Sequence, residues 1–512
     1  MPANFSRSLI LFAALAWFGA PHLAHAQYEE RLPVAVAKAL KAAGIPQGSV
    51  AVVVQQAAAV LPRVSVNAAQ PMNPASLMKL LTTYAALELL GPAYTWKTEA
   101  WTTGKLADGV LEGDLLLKGG GDPRLTFEQF WLLLRQLRAR GLRDIRGDLV
   151  LDRSLFETAE ANGTEAVAGA DNFDDQPLRP YNVSPDALLL NFKSLRLQFV
   201  ADAGMKTLSV LAEPRLANLD IINLVKPASG NGDCGNWKEH LRADLTRQNA
   251  PDGHARLILT GRYPLACGEK TWNLGVLSHP QYIDGVFRQL WRELGGSLTG
   301  GVREAVLPAD ARLLAGIESP PLTEAIRDIN KFSNNVMARQ LFLTLGAQPL
   351  SVAGVAGVAG TTSGAGSLAK PPARAADADA AIRAWLAQKH LRFPELVLEN
   401  GSGLSRQERM SAESLASLLA DAWKSPLMPE LIASLPLSGV DGTMRKRLKQ
   451  NGMTSQAHIK TGSLEGVKSI AGYLLDNGGK WQIVVFLVNH PNAAAAQPAQ
   501  DALLEWVYAR GR

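Results

Sequence analysis

Pro74-Ala75-Ser76-Leu77-Met78-Lys79 runs without a break into Leu80–Gly91 (LLTTYAALELLG). Leu77, Leu80, Leu81, Tyr84 and Leu87 recur at three- and four-residue steps, the period of one helix face. Gly91-Pro92 closes the run, so the predicted helix starts near Ser76. Ser76 and Lys79 then share a face and their side chains can meet. A serine hydroxyl is a weak nucleophile until a nearby base takes its proton. At the helix N-terminus the macrodipole also favours negative charge developing on the attacked oxygen. Alone, S-x-x-K is a weak signal, because most serines ahead of helices are caps.

Working outward, Ser49–Gln56 (SVAVVVQQ) is a β-branched run that reads as a buried strand. Near the other end, Ser469–Leu475 (SIAGYLL) and Gln482–Val488 (QIVVFLV) read as strands joined through Asp476-Asn477-Gly478-Gly479, a hairpin signal. The edge segment Ala457–Lys460 precedes them. Helical patterns cover Thr323–Leu345, Ala375–His390 and Ser411–Lys424, and Asp501–Tyr508 reads as a closing helix. From about Tyr94 to Pro320 the texture differs. Short segments such as Gly109–Lys118, Lys206–Glu213 and Ala255–Tyr263 read as strands between Gly/Asp/Pro turns, with a helical pattern at Thr126–Arg138. The expected fold class is therefore α/β (α+β): an antiparallel sheet with helices, split in sequence into residues 27–95 and 320–512. A β-rich insert of one or two subdomains, residues 96–319, projects from it. Ser351–Ser367 (SVAGVAGVAGTTSGAGS) offers little to bury and predicts a flexible surface insertion.

Composition narrows the class. The chain has 512 residues, 47% hydrophobic and 19% charged, which supplies a sizeable core and excludes general disorder. The net charge of +5 is not gathered into a Lys/Arg run, so no nucleic-acid partner is expected. At the N-terminus Arg7, the apolar stretch Leu9–Trp17 and Ala24-His25-Ala26 form a secretory signal peptide, residues 1–26. Gly19 and Pro21 interrupt the run before the ~20 apolar residues a membrane span needs. The mature protein is thus expected to be exported to the periplasm, with at most peripheral membrane association. Cys234 and Cys267 suit that compartment. They read either as a disulfide, worth about 3–4 kcal/mol in the chain-entropy model, or as two buried thiols. Glycine and polar neighbours favour the bridge. Neither cysteine has metal-ligand spacing to another Cys or His, so no metal is expected.

Two further elements carry chemistry. Ser333-Asn334-Asn335 opens the helix Val336–Leu345 and offers a hydroxyl to relay a proton and an amide to hold a carbonyl. Its plain reading is a pair of helix caps. Lys460-Thr461-Gly462-Ser463, at the end of a strand, offers a cation, hydroxyls and a glycine that lets a substrate backbone come close. A lysine on an edge strand is otherwise a solubility device. His240, His254 and His279 show no triad spacing and read as surface or structural residues. Gly119-Gly120-Gly121-Asp122 lacks the G-K-[ST] ending of a phosphate loop and reads as a turn.

In this order the three elements match the S-x-x-K, S-D-N-type and K-T-G signature of serine β-lactamases and penicillin-binding proteins. The chain resembles that superfamily, and more narrowly the D-alanyl-D-alanine carboxypeptidase/endopeptidase family of low-molecular-mass class C penicillin-binding proteins, peptidase family S13. Gly121-Asp122-Pro123, Pro180-Tyr181-Asn182 leading to Ala187–Phe192, Glu399–Ser405 (ENGSGLS), Ser438–Met444 (SGVDGTM) and above all His458–Leu474 (HIKTGSLEGVKSIAGYL) carry the likeness. The resemblance implies a transpeptidase-like catalytic domain, no cofactor, peptidoglycan stem peptides as substrate and β-lactams as inhibitors. It implies Ser76 as the acylated nucleophile, Lys79 as its base and Ser333 as relay to the leaving amine. Asn335 would hold the substrate amide and Lys460 would shape the field. Thr461 and Ser463 would receive the terminal carboxylate, with Gly462 between them, and the N–H groups of Ser76 and Ser463 would form the oxyanion hole. Asp174-Asp175 could grip a diaminopimelate amine, or be a solvated loop. The competing functions are a β-lactamase, for which no class A-type deacylating glutamate motif is found, and a non-catalytic wall-binding scaffold. For Lys79 to act as a base it must be neutral, so burial beside Lys460 has to lower its pKa from the usual ~10.4.

Overall fold

The computed structural model describes residues 31–157, 173–229, 234–246, 254–348, 371–450 and 452–510. The expected signal peptide and the glycine-rich stretch 351–367 lie outside these residues. Strands from both ends of the chain build one antiparallel sheet, in the order Ala457–Leu464, Val467–Leu475, Trp481–Asn489, Val50–Gln56, Val64–Val66. The hairpin turn is made by Asp476, whose Oδ1 accepts the N–H groups of Gly478 at 3.0 Å and Lys480 at 2.9 Å.

Gln482–Val488 has no polar alternation because helices cover both faces of the sheet. Ala51, Val53, Ala471, Tyr473, Val485 and Leu487 enter one core, shared with the helices Met78–Leu90 and Ala412–Lys424. Val50, Val52, Ile470, Val484, Phe486 and Val488 enter another, closed by the helices Val34–Ala42 and Gln497–Ala509. The helix Met78–Leu90 is buried at every position from Met78 to Leu87, as expected of a helix in the middle of a layer. Its buried threonines are satisfied: Thr82 Oγ1 donates to the Gly401 carbonyl and Thr83 Oγ1 to the Lys79 carbonyl, both at 2.7 Å.

Two sequence expectations change. The helical stretch Thr323–Leu345 is two helices, Leu322–Phe332 and Asn335–Ala347. Ser333 breaks it in the left-handed region (φ 55°), and Asn334 caps the second helix by accepting the Met337 N–H at 3.1 Å. The segment Gly109–Lys118 is also two elements, Val110–Glu112 and Leu115–Gly119, in different sheets. Gly113 (φ 144°) turns the chain between them in a conformation that only glycine adopts readily.

The region between the two halves of the sheet leaves and returns through neighbouring strands. Lys97–Thr102 pairs antiparallel with Arg312–Glu318, and the Ser319 N–H donates to the Trp96 carbonyl at 2.9 Å. Because its ends are already adjacent, so large an excursion imposes little closure cost on the rest of the chain. Among the described residues its four sheets share one continuous apolar cluster with the helices Phe127–Ala139 and His279–Glu293. Cys234 and Cys267 form a disulfide within it. Among the described residues, no helix is long and apolar enough to cross a membrane.

A polar hub fastens this region to the helix Asn335–Ala347. The Gln340 side chain accepts the Asp186 N–H at 3.0 Å and donates to the Asp186 carbonyl. The Asp186 carboxylate is gripped by Arg153, which also reaches Glu304 at 2.7 Å. His279 lies buried beside this hub, and burial pushes its pKa down to about 3. The unfolded chain therefore binds a proton near pH 6.5 that the folded chain refuses until about pH 3, so stability is lost as pH falls across that window. Replacing His279→Leu is expected to reduce the drop in urea midpoint between pH 7 and pH 4. An unchanged drop would show that His279 does not carry this acid sensitivity.

Candidate active site

Ser76 sits in a single 3-10 turn, Ala75–Leu77, that runs straight into the helix starting at Met78. The turn is held from several sides. Ala75 has positive φ (48°), which costs a non-glycine residue of order 1 kcal/mol or more. Its N–H donates to Asn73 Oδ1 at 2.9 Å, and Asn73 exchanges hydrogen bonds with Asn489 at 2.8 and 3.0 Å. Ser469 Oγ donates to the Pro74 carbonyl at 2.7 Å. Neighbouring segments thus fix the conformation that presents the Ser76 hydroxyl.

One turn further, Lys79 is fully buried. Its Nζ lies 3.0 Å from Ser76 Oγ, 2.6 Å from Asn335 Oδ1 and 2.5 Å from the Ser402 carbonyl. Burial, and secondarily the Lys460 charge, hold its pKa well below that of a free lysine, while Glu408 acts the other way. An amine whose burial favours the neutral form and that lies within hydrogen-bond reach of a hydroxyl can serve as its base.

Lys460 stands on the edge strand, yet it too is fully buried. It is therefore no solubility device: Nζ donates to Ser333 Oγ at 2.9 Å and to the Thr461 carbonyl at 2.7 Å. Burial pushes its pKa down to about 7. The left-handed break at Ser333 is what allows one short segment to serve both lysines, with Ser333 at Lys460 and Asn335 at Lys79. The Thr461 hydroxyl donates to Thr443 Oγ1 at 2.8 Å, and Ser463 is exposed. Gly462 passes the serine turn so closely that a Cβ there would lie 2.2 Å from Ser469 Oγ and 2.8 Å from the Pro74 carbonyl oxygen. Ser76, Lys79 and Asn335 thus form one hydrogen-bonded group and Ser333 and Lys460 a second, with Thr461, Gly462 and Ser463 continuing from Lys460 along the strand.

Asp174, weighed against a solvated loop, pairs with Arg406 at 2.9 Å, and Arg406 also reaches the Glu465 carbonyl at 3.0 Å. Asn400–Ser405, within the Glu399–Ser405 stretch that carries the family likeness, supplies the Ser402 carbonyl to Lys79. Sequence reasoning missed Asn73, that carbonyl and Glu408. A carbonyl has no residue signature, and a single acid is indistinguishable from a surface one until its burial is known. The glycines around Ser402 were the available hint of close backbone approach.

The chain is similar to known proteins over most of its length. Residues 32–509 match the family described as D-Ala-D-Ala carboxypeptidase 3 (S13). The chain is 25% identical over 434 residues to D-alanyl-D-alanine carboxypeptidase DacB of Haemophilus influenzae, covering 83% of this chain and 81% of that one. It is 28% identical over 455 residues to D-alanyl-D-alanine carboxypeptidase of Actinomadura sp. (strain R39), covering 85% and 76%. Its fold is similar to the crystal structure of penicillin binding protein 4 from Haemophilus influenzae, with a TM-score of 0.72 at 23% identity, covering 92% of this chain and 99% of that one.

Gly403 offers a direct test of how the turn is built. Its φ is 82°, and a Cβ there would lie 1.9 Å from the Ala75 carbonyl oxygen. Gly403→Ala must push back the backbone beside Ser76. At least a tenfold loss in the rate at which a serine-directed acylating agent modifies Ser76 is expected, with the far-UV CD spectrum preserved. An unchanged rate would show that the turn is not set by this contact.

Proposed function

The chain belongs to the D-Ala-D-Ala carboxypeptidase 3 (S13) family, and from that premise we propose that it is an exported serine peptidase acting on peptidoglycan stem peptides. It cleaves the terminal D-Ala–D-Ala bond, the D-Ala–diaminopimelate cross-link, or both, and β-lactams block it. The observation that carries the reading is the buried Lys79 amine 3.0 Å from the Ser76 hydroxyl. Catalytic groups linked at hydrogen-bond distance also speak against a scaffold with a relic site. The disulfide Cys234–Cys267 supports an oxidising compartment and hence export.

In this reading, neutral Lys79 takes the Ser76 proton as Oγ attacks the carbonyl carbon of the penultimate residue. The N–H groups of Ser76 and Ser463 receive the oxyanion. The proton taken by Lys79 passes through Ser333, hydrogen-bonded to Lys460, to the leaving amine as the C–N bond breaks, so both lysines and Ser333 end as they began. Free D-alanine departs, and water hydrolyses the ester to regenerate Ser76. Lys460, Thr461 and Ser463 hold the substrate's terminal carboxylate, while Asn335 holds its amide. A β-lactam opens on the same serine, but its amine stays tethered in the site, so the ester persists.

The pH profile follows from the two lysines. Base strength appears as pH rises through the lowered Lys79 value, whereas the Lys460 charge disappears as pH passes about 7. For a carboxylate-bearing pentapeptide, kcat/KM is therefore expected to rise and then fall around neutrality. A rate flat from about pH 5 to 9 would contradict Lys79 as base. Incubation with a pentapeptide monomer and with a cross-linked dimer should release D-alanine, split the dimer, or both. Ser76→Ala should abolish every product, and activity surviving that change would reject the reading.

A further inference from the structure

Glu408 lies just beyond the loop that delivers the Ser402 carbonyl to Lys79, and it is fully buried, a rare place for a carboxylate without compensation. Oε1 accepts three successive backbone N–H groups, from Glu399 at 3.2 Å, Asn400 at 3.0 Å and Gly401 at 3.2 Å. Oε2 is buried and has no hydrogen-bond partner among the described residues. The next carbonyl along the loop after those three donors is that of Ser402, 2.5 Å from Lys79 Nζ. The same loop sends the Gly401 carbonyl to Thr82 and presses Gly403 against the Ala75 carbonyl. One carboxylate therefore fastens the backbone that floors the lysine pocket.

We propose that Glu408 is a positioning residue for Lys79: it seats the loop that aims the Ser402 carbonyl at the amine. This rests on the reading of Lys79 as the base for Ser76. The charged groups acting on Lys79 are Lys460 from the edge strand and Glu408 from the segment behind the loop, while Asn335, Ser76 and the Ser402 carbonyl present neutral dipoles. Desolvation and Lys460 both strip proton affinity from Lys79. Carried too far, they would leave an amine too weak to deprotonate a hydroxyl efficiently. When ionised, Glu408 is the opposing charge and favours the protonated amine, while burial raises its own pKa above the usual carboxylate range.

The test is the second-order rate of acylation by a fluorescent penicillin, measured on the full chain from about pH 4.5 to 9. Glu408→Gln keeps an oxygen for the three N–H groups and removes the charge. Its acidic limb is expected to move to lower pH by at least about half a unit, with a lower plateau from the weaker base. Glu408→Asp keeps the charge on a shorter arm, so its limb should stay in place while its plateau falls. The limb position is independent of the fraction of active protein, so partial misfolding of either variant does not blur the result. An unmoved limb in Glu408→Gln, or equal shifts in both variants, overturns the inference and leaves Lys79 as base intact. No Ser76-dependent label in the wild type overturns the reading of the site, and this inference with it.

Discussion

Everything in the site depends on keeping one lysine amine out of water. In water, Lys79 would hold its proton until about pH 10 and could not serve a hydroxyl. Its burial makes the neutral amine available, and three partners at 2.5–3.0 Å fix where its lone pair and protons point. Those partners come from its own turn, from the start of the helix Asn335–Ala347 and from the loop around Ser402. The chemistry is thus a property of three segments meeting. None of them supplies it alone.

The architecture explains how they meet. A sheet buried on both faces gives a rigid floor, and its edge strand carries Lys460 to the rim of the helical layer. The helix Met78–Leu90 lies inside that layer, so its first turn opens where the edge strand and the Ser333 break come together. The large middle region leaves through paired strands and is fastened back by Gln340 and Asp186, one and a half turns along the helix that begins with Asn335. It can therefore shape the approach to the site without disturbing the sheet.

Much of this was legible in the sequence, for physical reasons. The helix after Ser76 showed a clear period, and the terminal hairpin announced itself through Asp476–Gly479. The serine, asparagine and lysine elements drew meaning from their order and from their resemblance to a family. What was hidden were features without a residue code. The left-handed conformation of Ser333 splits a helical pattern that looks continuous. Gly113 breaks a strand that reads as one. The Ser402 carbonyl is main chain, and Glu408 looks like any surface acid. An edge position alone left Lys460 open to a solvation role beside the one its resemblance implied, because such a position says nothing about which neighbour covers it.

The central claim is that Ser76, and no other hydroxyl in the cluster, becomes covalently acylated because Lys79 activates it. Mapping the adduct tests this most directly. The protein is incubated with benzylpenicillin, digested with trypsin and fragmented in a mass spectrometer. The penicilloyl group should sit on Ser76 within the peptide Val64–Lys79. An adduct on Ser333 or Ser463, or no adduct from a folded protein, would contradict the account.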